Sequence, residues 1–311
     1  MKSLKDYRIV YMGTPEMSAK VLEQLLEDGL NIVAVIAQED KPKGRKGLLE
    51  KVPTKVVAEK FGIPVYQPHR IRKEYEFVKE LKPDLILTMA YGQIIPQGLL
   101  DIPEFGCLNI HGSLLPKYRG AAPIQRAIIE GETKTGVTLM EMIDKMDAGK
   151  MYAFEECDIL PNDNYSQICD KIVDCGIKVV RENLLAYLEG ELPGVEQDET
   201  KVTFADKINP EDEKLDLSKP TNLFLNWVRG LSEEPGGYVY IDSLKFKIFR
   251  AHKVSDEVNS PIGRLTIAKR VYLQLSNGVI ELDEVQLEGK KKMDAKSFAN
   301  GSQKLNGSII K

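Results

Sequence analysis

Histidine, cysteine and tryptophan are scarce in this chain, at three, four and one in 311 residues. Three histidines (His69, His111 and His252) are too few for a His-rich metal site, so no metal is expected. Cys107, Cys157, Cys169 and Cys175 contain no C-x-x-C pair, and free thiols in a reducing cytosol are the expectation. No run approaches the roughly 18 apolar residues of a membrane span. The first residues, MKSLKDYRIVYMG, carry no apolar stretch of about 7–15 residues behind their charges. A cytoplasmic protein without a membrane partner is expected. The first β-rich run ends in MGTPEM, with one glycine, so G-x-G-x-x-G is missing there, and G-x-x-x-x-G-K-[ST] is absent throughout. Nicotinamide and nucleoside-triphosphate enzymes are thereby disfavoured.

What is present is ordinary core material and an uneven charge. Hydrophobic residues make up 42% and charged residues 29%, enough to build cores, and the length suggests about two domains. The net charge of −4 speaks against a polyanionic partner only on average. Residues 1–200 carry 25 Lys/Arg and 32 Asp/Glu, whereas residues 201–311 carry 18 and 15, and from 241 onward the count is 13 to 8. A basic rear half keeps a polyanion in play.

The front half alternates strand and helix signals. RIVYMG (8–13) is a strand candidate, followed by Thr14 as N-cap and Pro15 as first helical residue, with Gly29 ending that helix. Further strands are expected over 31–38, 64–66, 84–90 and 107–112, with helices over 53–61 and 73–81. Near-continuous apolar strands in a βαβα rhythm predict a doubly wound, parallel Rossmann-like sheet. A helix over 122–131 and paired strands over 135–143 and 150–160 follow. Residues 164–189 form a long amphipathic helix stopped by Gly190. ELPGVEQDET (191–200) reads as a linker. After a helix over 219–230, short strands separated by turns predict a small, OB-like β-barrel. The domain expectation is therefore 1–190, a linker at 191–206, and 207–311.

Polar chemistry concentrates between 107 and 147. Asn109 and His111, two apart in a strand, share a face at a carboxyl end where open α/β sheets place ligands. Asp147 lies in a tight connection between two strands. Amide, imidazole and carboxylate suit acyl transfer: a donor for an oxyanion, a charge shuttle, and an orienting group or base. Spacing alone equally allows a turn-capping Asn, a hydrogen-bonded core His and an ordinary turn Asp. No G-x-S-x-G is present, so a covalent acyl-enzyme is not required.

NIHGSLLPKYRGAAPIQRAI (109–128) and TGVTLMEMIDKMDAGKM (135–151) closely resemble the folate-dependent formyltransferases, and among them those acting on methionyl-tRNA. RIVYMGTPE (8–16), LKPDLILTMAYGQIIP (81–96) and NWVRGL…PGGYV (226–239) extend the resemblance over most of the chain. It implies direct transfer of the formyl group of 10-formyltetrahydrofolate to the α-amine of methionyl initiator tRNA. It also implies a formyltransferase domain followed by a tRNA-binding barrel, acting as a monomer. The family's catalytic set falls on Asn109, His111 and Asp147, and its folate-contacting segment on Ser113, Leu114, Leu115 and Pro116. Its tRNA-entering insertion falls on EDKPKGRKGLLEKVP (39–53), with Lys43, Arg45 and Lys46 as contacts; Lys46 stands where the family has glycine. Lys290, Lys291 and Lys292 are the barrel's candidate phosphate contacts. The family commonly carries tryptophans where Leu217 and Glu233-Glu234 stand here, leaving Trp227 alone. The rival readings are formylation of a sugar-nucleotide amine and a non-catalytic tRNA-binding protein.

Overall fold

The computed structural model describes residues 3–43 and 48–311. The chain divides into two compact units: Met1–Gly120, Lys134–Asp158 and Cys169–Ala205 in the first, and Ala121–Thr133, Ile159–Ile168 and Asp206–Lys311 in the second.

The elements through the end of the front half are β1 (Ile9–Gly13), α1 (Glu16–Glu27), β2 (Ile32–Ile36), β3 (Lys41–Lys43), β4 (Leu48–Glu50), α2 (Pro53–Lys60), β5 (Val65–Tyr66), α3 (Phe77–Leu81), β6 (Leu85–Met89), α4 (Gln97–Leu100), β7 (Cys107–His111), α5 (Pro123–Ile129), β8 (Lys134–Glu141), β9 (Met151–Asp158) and α6 (Tyr165–Leu188). Seven strands form one sheet in the order β5-β2-β1-β6-β7-β8-β9. Every residue of β1 and β6 is buried, as unbroken apolar runs in a two-sided sheet require. Pairing is parallel from β5 to β7 and antiparallel for β8 and β9. The doubly wound expectation therefore holds for five strands. Strand β8 runs against its neighbours, and β9 folds back on it because the segment 142–150 that joins them is too short for a parallel crossover.

Two local expectations shift. Helix α1 begins at Glu16 with Pro15 in the N-cap position. Thr14 makes no cap, because its hydroxyl donates to the Tyr91 carbonyl (3.0 Å) and accepts from the Gln38 amide (3.2 Å). The 39–53 insertion contains a hairpin, β3 on β4. Asp40 pins its base through Lys55 Nζ (2.6 Å), Gln67 Nε2 (2.8 Å) and the Val52 amide (3.2 Å), and these contacts hold its carboxyl below the usual range against the opposing effect of burial. The backbone of Lys43 pairs with Leu48; Arg45 and Lys46 lie outside the described residues.

The second unit continues with α7 (Thr221–Gly230), β10 (Gly237–Ile241), β11 (Leu244–Ser255), β12 (Leu265–Ile267), β13 (Val271–Leu275), β14 (Gly278–Leu287), β15 (Met293–Asp294) and α8 (Ala295–Gly301). The strands form an antiparallel sheet ordered β10-β11-β14-β13-β12, with β15 on β14. Phe224 and Val228 of α7 and Phe298 of α8 pack against its inner face, which includes Val239, Phe246, Ile248, Leu273 and Leu282.

The two ends of this path are joined by residues 307–311. Leu265 donates to Ser308 O (2.9 Å) and Ile310 donates to Gly263 O (2.8 Å) on the β12 side. On the β10 side, Tyr240 and Lys311 exchange both backbone hydrogen bonds, at 2.8 and 3.0 Å. Backbone hydrogen bonding thus runs from β12 through this segment to β10, which suits a small barrel better than an open sheet with two raw edges.

Among the described residues, no helix is long and apolar enough to cross a membrane. One set of possible metal ligands converges there, His252, Glu281 and Asp283. Each already has a protein partner: His252 Nδ1 lies 2.9 Å from Asp283 Oδ2, and Glu281 pairs with Arg270.

Candidate active site

Asn109 and His111 occupy the carboxyl end of β7, next to the end of β6. This is the rim where a sheet of this topology presents its ligand groups. Thr88 of β6 donates its hydroxyl to Asn109 Oδ1 at 2.9 Å. That contact fixes which way the amide faces. Among the described residues, Asn109 Nδ2 has no hydrogen-bond partner, so an N–H donor is held ready on a half-buried residue.

His111 is buried, 5% exposed. Its Nε2 lies 3.1 Å from the Tyr118 carbonyl oxygen. A carbonyl only accepts, so Nε2 carries the hydrogen. Tyr118 sits at φ 62°, an uncommon conformation for a side chain of that size, and so presents its carbonyl to the ring. Nδ1 is then left facing Asp147 Oδ1 at 3.7 Å. The structure brings His111 and Asp147 together from segments 36 positions apart in the chain.

Asp147 lies in the 142–150 connection with φ 49°. Its Oδ2 accepts from the Gly120 amide at 2.9 Å. Gly120 itself adopts φ 127°, and a Cβ there would meet the Ala205 carbonyl oxygen at 2.7 Å. Only glycine lets the backbone approach this closely. The carboxylate is thus fixed through one oxygen and directed at the imidazole through the other.

The 113–120 segment is tied down at several points. Thr138 of β8 donates to Ser113 O (2.8 Å) and accepts from the Leu115 amide (3.1 Å). The Tyr118 amide donates to Thr203 Oγ1 and the Arg119 amide to Thr203 O, both at 2.9 Å. Ser113 is fully buried and spends its hydroxyl on the Lys117 carbonyl at 2.7 Å. Of the four residues expected to contact a folate, Leu114 and Pro116 are half-buried, whereas Ser113 and Leu115 are buried.

A second layer was not legible in the sequence. Arg119 is 1% exposed. Its Nε donates to Gln197 Oε1 and its Nη2 to Glu199 Oε1, both at 2.9 Å. With Lys145, it holds the Glu199 carboxyl below its usual range. Gln197, 8% exposed, donates from Nε2 to the carbonyls of Asp147 and Gly149, both at 2.8 Å. Arg119 falls within the 109–128 motif, but no periodicity or motif distinguishes its partners Gln197 and Glu199 within the Pro/Gly/acidic stretch that reads as a linker.

The thiols take no part in this site. Burial pushes the Cys107 thiol far up, which makes a poor nucleophile. Cys175 is raised by a hydrogen bond with Cys157, and by burial. In the barrel, Lys292 pairs with Glu233 and with Glu284 (3.2 Å) and stands 5.0 Å from the Phe249 ring centroid. Lys290 and Lys291 are exposed. The expected triple cluster is therefore two solvated cations and one already neutralised.

The formyl transferase family model matches residues 7–184, and the model for the formyl transferase C-terminal domain matches residues 207–303. The methionyl-tRNA formyltransferase of Geobacillus sp. (strain WCH70) is 43% identical over 300 residues, covering 95% of this chain and 94% of the relative. The enzyme of that name from Bacillus subtilis (strain 168) is 40% identical over 308 residues, covering 97% of both. Among solved structures, WlaRD, a sugar 3N-formyl transferase, superposes with TM-score 0.68 at 17% identity, covering 92% of this chain and 99% of that one. HypX from Aquifex aeolicus in complex with tetrahydrofolic acid gives TM-score 0.67 at 19% identity, over 94% of this chain and 46% of its own length. At these identities the two structures speak for the fold.

Proposed function

The chain belongs to the formyl transferase family, among the methionyl-tRNA formyltransferases, and on that premise we propose how its own residues carry the reaction. The reaction moves the formyl group of 10-formyltetrahydrofolate to the α-amine of methionyl initiator tRNA, giving N-formylmethionyl-tRNA. The donor supplies an activated one-carbon unit. A new bond forms between the amine nitrogen and the formyl carbon, and the bond from that carbon to N10 breaks. One proton leaves the amine and one reaches N10.

The observation that carries this reading is Asn109 Nδ2, without a partner among the described residues, beside the buried His111 and the half-buried Asp147. This donor set fits a neutral formyl group that becomes an oxyanion, and the connection after the first strand, MGTPEM, carries no G-x-G-x-x-G. Asn109 Nδ2 donates to the developing oxyanion. Asp147 takes the amine proton, and His111 Nδ1 shares it. Because free α-amines titrate near pH ~8, an appreciable fraction of the nucleophile is already neutral and only modest base help is needed. Leu114 and Pro116 are the members of the 113–116 segment that remain accessible to the folate.

Residues 1–190 serve as the catalytic domain and 207–311 as the tRNA-holding barrel, and Lys43, Arg45 and Lys46 of the 39–53 insertion are the proposed contacts to the tRNA acceptor end. Lys290 and Lys291 contact phosphates. Their joint reversal to Glu should raise KM for tRNA about three- to tenfold at low salt and leave KM for the folate unchanged, since such contacts are electrostatic. Lys292→Glu should instead lower the melting temperature, because Glu233 and Glu284 lose their partner. An unchanged tRNA KM in K290E/K291E would remove those two lysines from the interface.

The decisive assay supplies 10-formyltetrahydrofolate with, separately, methionyl-tRNA, glycinamide ribonucleotide and an amino-sugar nucleotide. Formylation of methionyl-tRNA is expected. Formylation of only the other acceptors would overturn the assignment.

A further inference from the structure

Asp147 needs an explanation that its own loop does not supply. It is a non-glycine residue at φ 49° in a connection whose neighbours are exposed: Ile143 is 41% and Met146 67% exposed. Such a loop has few packing contacts to fix it, and a left-handed backbone at a non-glycine residue persists only when its surroundings over-determine it. The Gly120 amide holds one carboxylate oxygen. The backbone that carries the carboxylate is held from elsewhere.

We propose that Gln197 is the positioning residue for Asp147, and that Arg119 orients Gln197 for this task. The single Gln197 amide group clamps the carbonyls on either side of Ala148, those of Asp147 and Gly149. A primary amide with two hydrogens is the only uncharged side-chain end that can serve two carbonyls from one nitrogen. Arg119 Nε donates to Gln197 Oε1, which fixes which end of the amide faces the loop. Arg119 also joins the two arms of the site through its own backbone. Its amide bonds to Thr203 and its carbonyl accepts from the Ala205 amide at 2.7 Å, and the next residue supplies the amide that holds Asp147 Oδ2. Segment 197–205 therefore sets both the backbone and the carboxylate of Asp147. The inference rests on Asp147 acting in formyl transfer, as proposed above.

Gln197→Glu separates positioning from mere stability. The glutamate keeps its oxygen for Arg119 and strengthens that contact by charge, but it has no hydrogens for the two carbonyls. Full-length wild type, Q197E, Q197A, D147A and D147A/Q197E are compared for kcat and both KM values in methionyl-tRNA formylation, with thermal melts alongside. Displacing a catalytic group by about 1 Å costs on the order of 10²-fold, so Q197E should lose roughly 30- to 100-fold in kcat. Its KM values should stay within about threefold, while its melting temperature should fall, since the Asp147 and Gly149 carbonyls lose their donor; kinetics are therefore measured well below that transition. In the D147A background the same change should cost no more than about twofold, since residues acting as a unit are not additive. The proposal is overturned if Q197E turns over at the wild-type rate, or if its loss multiplies fully onto that of D147A. A fully active D147A would instead bring down the catalytic reading of Asp147 itself, and the clamp with it.

Discussion

Replacing Asn109 with alanine should lower kcat for methionyl-tRNA formylation by on the order of 10²–10³ and leave the melting temperature nearly unchanged. The magnitude is that of removing one oxyanion donor from a preorganised site. The fold is spared because Nδ2 has no partner among the described residues. Only the Thr88 contact to Oδ1 is lost, from a hydroxyl that also lies 3.1 Å from the Leu108 carbonyl and can turn to it. His111→Ala should lose as much activity, but with a measurable drop in stability. It strips the Tyr118 carbonyl of its donor in a buried position, which costs about 1–3 kcal/mol. Thr88→Val should show a third pattern: a kcat loss of only about five- to tenfold, because a net hydrogen bond of about 1 kcal/mol orients the amide without touching substrate. Steady-state kinetics with saturating folate and a thermal melt distinguish the three. Near-normal turnover in N109A would remove the amide from the catalytic set.

The elements that the sequence made legible are those whose period is set by burial. The apolar runs of β1, β2, β6 and β7 sit in a sheet covered on both faces. The 164–189 helix is marked by a stripe in which Ile168, Ile172, Val180, Leu184 and Leu188 are all buried. The i, i+2 relation of Asn109 and His111 also survives, because a strand fixes it. What stayed hidden depends on partners distant in the chain. Thr14 has cap chemistry, yet two tertiary hydrogen bonds claim it. The 191–206 stretch has linker composition, yet Gln197 and Thr203 bind the loop that carries Tyr118 and Gly120 and the turn that carries Asp147. The hydrogen-bonding side chains that position a site leave no periodic trace, since each answers to one partner and not to a face.

Charge shows the same division. The surplus of basic residues in the rear was readable as a sum, but the sum does not say which cations are free. Glu233 engages Lys292. This chain thereby converts part of an apparent cationic cluster into an internal ion pair. Exposed pairs of this kind contribute little stability, about 0–1 kcal/mol; their larger effect is on the charge presented to a polyanion.

Deletion of residues 308–311 should destabilise the second unit by about 4–6 kcal/mol and leave the seven-stranded sheet intact. Ile310 is 2% exposed in the barrel core, and burying such a side chain is worth about 1.5–3 kcal/mol. The deletion also removes the four backbone hydrogen bonds that tie Ser308, Ile310 and Lys311 to Leu265, Gly263 and Tyr240, each worth about 1 kcal/mol net, although water recovers part of that at a newly exposed edge. Against a domain stability of about 5–15 kcal/mol, the loss is a large fraction. The truncated protein should melt in two steps, the earlier one reporting the barrel. At assay temperatures it should show a raised KM for tRNA with an unchanged KM for the folate. Ile310→Ala alone should lower the melting temperature less, since it keeps the backbone closure and loses only the packing. If the truncated chain melts as a single transition at the wild-type temperature, closure by this segment contributes nothing. The two backbone contacts with Tyr240 would then be incidental to the barrel's stability.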